Sequence, residues 1–194
     1  MWRKCAEIRP IAVASGCFFM LLAIAAACQP ENRLDTSGVE AVSLPSSCGK
    51  RGYVSTSLYG AIDVTLDWAS PELECEGMPR PGSEGARLRF ASTDGERRLA
   101  IIIALPDLER GTKGRELASK VTLIEEGSGR FFSTAAPEAC WTDVTLLETI
   151  NGSGDRYTIG GTLYCLSPLA EVNGASSVTI AELRFQGLLG WGAS

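Results

Sequence analysis

Residues 140–165 read CWTDVTLLETINGSGDRYTIGGTLYC, and the reading of this stretch decides the fold. Its two halves, 140–149 and 156–165, flank Asn151-Gly152-Ser153-Gly154-Asp155, whose residue types favour tight turns and tolerate left-handed backbone. The halves therefore predict an antiparallel hairpin. If Thr149 opposes Arg156, Leu146 faces Ile159, Val144 faces Gly161, Thr142 faces Leu163 and Cys140 faces Cys165, which gathers the apolar side chains on one face. The two cysteines then meet at the open end with β-carbons ~4.5–5.5 Å apart, close enough for a disulfide after a small backbone adjustment. Trp141 opposes Tyr164 on the other face.

Working outward, the same period of two recurs. Ile62, Val64, Leu66 and Trp68 alternate with Ala61, Asp63, Thr65 and Asp67, the mark of a strand with one buried and one wet face. Residues 77–85 are rich in glycine and proline and read as a loop. Arg87-Leu88-Arg89-Phe90 alternates again, Asp94-Gly95 offers a tight turn, and Leu99 to Leu105 is apolar throughout, as in a central strand covered on both sides. Between Pro106 and Lys120 the leucine spacing admits one or two turns of helix, interrupted by Gly111 and Gly114. In the last segment Val178 and Ile180 are apolar on even positions while Leu183 and Phe185 are apolar on odd ones, so one extra residue near Ala181-Glu182 implies a β-bulge. The pattern predicts an all-β fold, an antiparallel β-sandwich of about seven to nine short strands with at most one short helix. A closed β-barrel is the alternative.

The beginning of the chain has a different character. Arg3, Lys4 and Arg9 precede an apolar run from Ile11 to Ala27 that ends in Ala25-Ala26-Ala27-Cys28. This resembles a bacterial lipoprotein signal peptide, in which small residues before a cysteine mark the cleavage point and the cysteine becomes the lipidated first residue. The resemblance covers this segment alone and implies an address: export, lipid attachment at Cys28, and a membrane partner reached through that lipid. With Gln29 in place of aspartate after Cys28, it also implies the outer membrane where the host has two. Ala25-Ala26-Ala27 also fits removal of the leader without lipid, which would give a secreted or periplasmic protein. The apolar run falls short of the ~20 residues a spanning helix needs. The expected organisation is a signal peptide over 1–27, a polar tether over 28–47 and one β-domain over 48–194.

Of the seven cysteines, Cys5 and Cys17 would leave with the leader and Cys28 would take the lipid. Four remain. An even number in an oxidising compartment reads as two disulfides, and once Cys140 is paired with Cys165, elimination leaves Cys48 with Cys75. No close cysteine pair and no histidine suggest a metal site or a cofactor.

The chain carries a net charge of −5, and its leader is basic, so the exported part is more acidic still and has no basic cluster to seek nucleic acid. With no histidine, the commonest general base and any Ser-His or Cys-His pair are absent. Asp63 and Asp67 share a strand face but stand ~13 Å apart at strand rise, beyond the separation of a glycosidase pair. Asn151, Ser153 and Asp155 could offer oxygens to calcium but lack a full loop motif. The ligand-contact candidates are Trp141 and Tyr164, because aromatic faces on an open sheet can stack against sugar rings. The competing assignment is that another strand or the short helix covers this face and makes both residues core. The expected function is therefore a non-enzymatic, lipid-anchored envelope protein with a binding or structural role and an envelope protein or glycan as partner. A carbohydrate-contacting module is the alternative, and a carboxylate-dependent hydrolase is the more distant one.

Overall fold

The computed structural model describes residues 48–82, 84–152 and 154–192. The expected signal peptide, Cys28, the tether and Ser153 lie outside the described residues. Twelve strands follow one another: β1 (Tyr53–Gly60), β2 (Val64–Ala69), β3 (Glu74–Pro79), β4 (Ala86–Asp94), β5 (Arg97–Leu105), β6 (Gly114–Glu126), β7 (Arg130–Ser133), β8 (Cys140–Thr149), β9 (Arg156–Cys165), β10 (Leu169–Glu171), β11 (Ser177–Ile180) and β12 (Leu183–Gly190). The helical content is one 3₁₀ turn, Pro137–Ala139. The fold is all-β and antiparallel, as the alternation implied.

All twelve strands belong to one hydrogen-bonded sheet in the order β3-β4-β5-β6-β7-β10-β11-β1-β12-β9-β8, with β2 paired to β1. A second pairing of β6 with β8 brings the path back on itself. The strand that makes this possible is β6. Its second half, from Lys120 to Glu126, pairs with β5, whereas its first half, Gly114 to Ser119, pairs with β8. The expected helix between Pro106 and Lys120 is not formed. Gly111 takes a left-handed φ of 75°, which suits a turn, and from Ser119 onward Ser119, Val121 and Leu123 alternate inward at strand period. Where β6 changes partner, the buried Ser119 hydroxyl donates to the Leu117 carbonyl at 2.8 Å and lies 2.7 Å from the Thr142 hydroxyl, so neither polar group is stranded.

A similar corner lies at β1. Its first residues, Tyr53 to Ser55, pair with β12, and its last, Leu58 to Gly60, pair with β11. Two residues of β1, Thr56 and Ser57, therefore span Ala181, Glu182 and Leu183, and the extra residue expected from the phase change near Ala181 is present. The interruption divides the last segment into two strands, one reason the count exceeds nine. The loop expected over 77–85 is shorter than its composition suggested, because β3 continues to Pro79. As a terminal strand of the path, β3 tolerates a proline there, and Gly77 is needed because a β-carbon would lie 2.2 Å from the Leu188 carbonyl oxygen.

Apolar side chains from both halves of the sheet fill the space between them. Phe90 and Phe185 meet with ring centroids 5.6 Å apart, and Leu58, Leu66, Ile101, Ile103, Val121, Leu123, Phe132 and Ile159 complete a core that is closed to solvent. Burying each such side chain is worth ~1.5–3 kcal/mol. Beyond the core, Arg130 caps one end. Its guanidinium lies 4.9 Å from the Phe132 ring centroid and donates to Glu171 at 2.8 Å, and this hydrogen bond holds the Glu171 carboxyl below its usual range.

Candidate functional site

The hairpin quoted above is β8 and β9, and its open end is set as expected: Cys140 opposes Cys165, Trp141 opposes Tyr164, Thr142 opposes Leu163 and Val144 opposes Gly161. Beyond Val144 the register differs. A bulge at Thr145 shifts the pairing, so that Leu146 opposes Gly160, Leu147 opposes Ile159 and Thr149 opposes Tyr157. Leu147, not Leu146, enters the core, while Leu146 turns to the outer face. The cause is steric. A β-carbon at Gly161 would stand 2.0 Å from the Asp143 carbonyl oxygen, and the two glycines let the β8 backbone crowd inward there.

Both disulfides form, Cys140–Cys165 and Cys48–Cys75. The first lies one residue from Trp141 and from Tyr164. It closes the hairpin end and fixes the two aromatic residues opposite each other.

Alternation then decides what those aromatics face. Cys140, Thr142 and Val144 point inward, so Trp141 and Asp143 point outward. Among the described residues Tyr164 is 36% exposed and Trp141 is half-buried. Across from Trp141 on β6 stands Ala118. Together Glu116, Trp141, Tyr164 and Leu166 line a shallow depression of about 270 Å³. Leu166 is 73% exposed and is held there by its own N–H, which donates to the Ala139 carbonyl at 2.8 Å.

Glu116 and Leu166 were not apparent in the sequence. Glu116 lies in the stretch where helix and loop competed, and Leu166 follows the last cysteine without any pattern. Farther along the same face, Leu146, Thr158, Gln186 and Leu188 floor a wider groove of about 740 Å³, walled by Cys48 to Arg51. Its charges are mixed, with Lys50, Arg51 and Glu148 among the lining residues. Trp68 is buried, in keeping with its apolar strand face, and Asp63 and Asp67 are both exposed.

Acids from different strands come together twice among the described residues: Glu125 of β6 and Glu171 of β10 share Arg130, and a second pair meets at Arg98. Glu74 of β3 and Glu126 of β6 share the guanidinium of Arg98, at 2.5 and 2.6 Å, and Arg89 adds a 2.6 Å contact to Glu126. Desolvation pushes the Glu126 carboxyl up, but hydrogen bonds from Arg89 and Arg98 outweigh it and hold the group below its usual range. A general acid needs the opposite shift. The arrangement is an ion-pair network over Ala91 and Ala100 on the outer sheet face. Among the described residues, no group of three or more acidic or cysteine side chains is placed to hold a metal ion. No family model, no curated protein and no solved structure matches this chain.

Proposed function

We propose that this protein is an exported, lipid-anchored domain of the cell envelope that binds a glycan through the outer face of β8 and β9, without catalysis of its own. The observation that carries the binding reading is the Trp141–Tyr164 pair on the outer face, Tyr164 exposed and Trp141 half-buried, fixed in register by the adjacent disulfide. The solvent-facing parts of two aromatic rings offer apolar surface to the C–H faces of sugar rings, and a preset geometry lowers the ordering cost of binding. The detergent-solubilised full chain should be retained on insoluble chitin or cellulose, with retention lost in Trp141→Ala and in Tyr164→Ala. No retention on either polymer, or retention that survives both substitutions, sinks this reading.

The address rests on the leader and on the disulfides, which persist in oxidising compartments. Labelled fatty acid is expected to enter the protein and to be absent from Cys28→Ser, with the unsubstituted protein fractionating with the outer membrane in a host that has two. Label that survives the substitution refutes Cys28 as the attachment site, and a parent protein that takes up no label has no lipid anchor and is secreted or periplasmic. The non-enzyme reading is supported by the absence of histidine from the sequence and by the ion pairing that depresses the Glu126 carboxyl.

A further inference from the structure

Glu116 is the one charged residue lining the aromatic depression, and its backbone is unusual. It sits at the irregularity of β6 between Gly114 and Leu117 with φ of 50°, a left-handed conformation that a non-glycine residue adopts only when its surroundings hold it there. The holding group is on β8: the Glu116 N–H donates to Asp143 Oδ1 at 2.7 Å. Asp143 is two residues from Trp141 and on the same outward face, so a second carboxylate stands beside the site. On β12, beyond β9, Arg184 is engaged by Glu182 at 2.8 Å. Arg115 precedes Glu116 but does not line the depression.

From the strained backbone and the carboxylate beside the aromatic residues, we infer that Glu116 is the specificity-determining residue of this surface, selecting amino saccharides and rejecting acidic ones. The inference rests on the glycan reading above and adds to it the charge class of the sugar. A carboxylate has acceptors only, so it matches hydroxyl and ammonium donors, and a uronic acid brought to the same place meets like charge. Backbone strain placed where glycine would be easier is the kind of feature that function retains.

The test measures affinity by tryptophan fluorescence on the full chain in detergent, with three soluble probes of equal length: oligomers of glucosamine, of N-acetylglucosamine and of galacturonate. Trp141→Phe controls for the reporter. The glucosamine oligomer should bind roughly tenfold tighter than the galacturonate oligomer, as expected of one exposed attraction exchanged for one repulsion, with the neutral oligomer between them. In Glu116→Gln the three affinities should close to within about twofold, as removal of a single exposed charge implies. Glu116→Gly, which fits the left-handed backbone, should melt no lower than the parent protein while losing the same spread. Equal affinities in the parent protein, or an order unchanged in both variants, overturns the role of Glu116 and leaves the aromatic reading standing. If no oligomer binds at all, both readings fall.

Discussion

Replacing Cys140 and Cys165 together by alanine is expected to lower the free energy of unfolding by about 3–4 kcal/mol, the loop-closure value for a bridge across 25 residues. The bridge joins the two strand ends farthest from the 150–155 turn, where a hairpin frays first, so the turn cannot substitute for it. Cys140 is also fully buried and pairs with Ser119 of β6, whose hydroxyl lies 2.7 Å from that of Thr142. A denaturant titration of the double variant against the parent protein measures the loss. A difference below about 1 kcal/mol would mean that packing of β8 against β6 already fixes the hairpin end. The effect should extend to binding, because Trp141 and Tyr164 are adjacent to the bridge and their mutual placement depends on it.

How far the sequence carried the fold follows from which forces act locally. Alternation in residues 62–68, 87–90 and 99–105 reports burial of one or both strand faces, and those segments are strands in the structure except for Ile62 and Asp63, which precede β2. The open-end register of β8 and β9 was legible because two apolar sets and two cysteines agreed on one pairing. The phase change between Ile180 and Leu183 was legible for a similar reason, since a bulge leaves a trace in apolar parity. The first half of β6 left no such trace. Gly114 to Ala118 pairs with β8, which lies more than twenty residues later, and its conformation is set by that distant partner. The short strand β10 is likewise defined by whom it pairs with.

The site was half legible. Trp141 and Tyr164 could be placed opposite each other, but whether anything covered them depended on sheet order, which alternation does not encode. Glu116 needed the same missing knowledge. It joins the aromatics only because β6 crosses to β8, and its left-handed backbone is unrelated to its residue type. The bulge at Thr145, by contrast, had a local signal. Two consecutive glycines, Gly160 and Gly161, in the middle of a strand indicate a close backbone approach or a bulge opposite.

That bulge gives the second large expected effect: Gly161→Ala should destabilise the domain by about 3 kcal/mol or more, at the upper end of what overpacking costs, because the clash is with backbone. The added β-carbon would meet the Asp143 carbonyl oxygen at 2.0 Å, the Asp143 carbonyl carbon at 3.0 Å and Val144 Cα at 3.2 Å. None of these is the flexible end of a side chain, so either β8 moves outward or β9 does, and both are tied, β9 by eight paired residues of β12 and β8 by β6. Gly154→Ala, in the turn of the same hairpin with nothing within 4 Å of the new carbon, is the control and should change stability by less than about 0.5 kcal/mol. Thermal unfolding of the two variants side by side separates a general penalty for alanine from the specific clash. Equal melting temperatures would mean that the backbones at Asp143 and Gly161 are not in close contact, and that the register shift at Thr145 has another cause. If Gly161→Ala folds at reduced temperature, the displaced Asp143 no longer meets the Glu116 N–H. The selectivity assigned to Glu116 should then weaken in a variant whose substitution lies outside the aromatic depression.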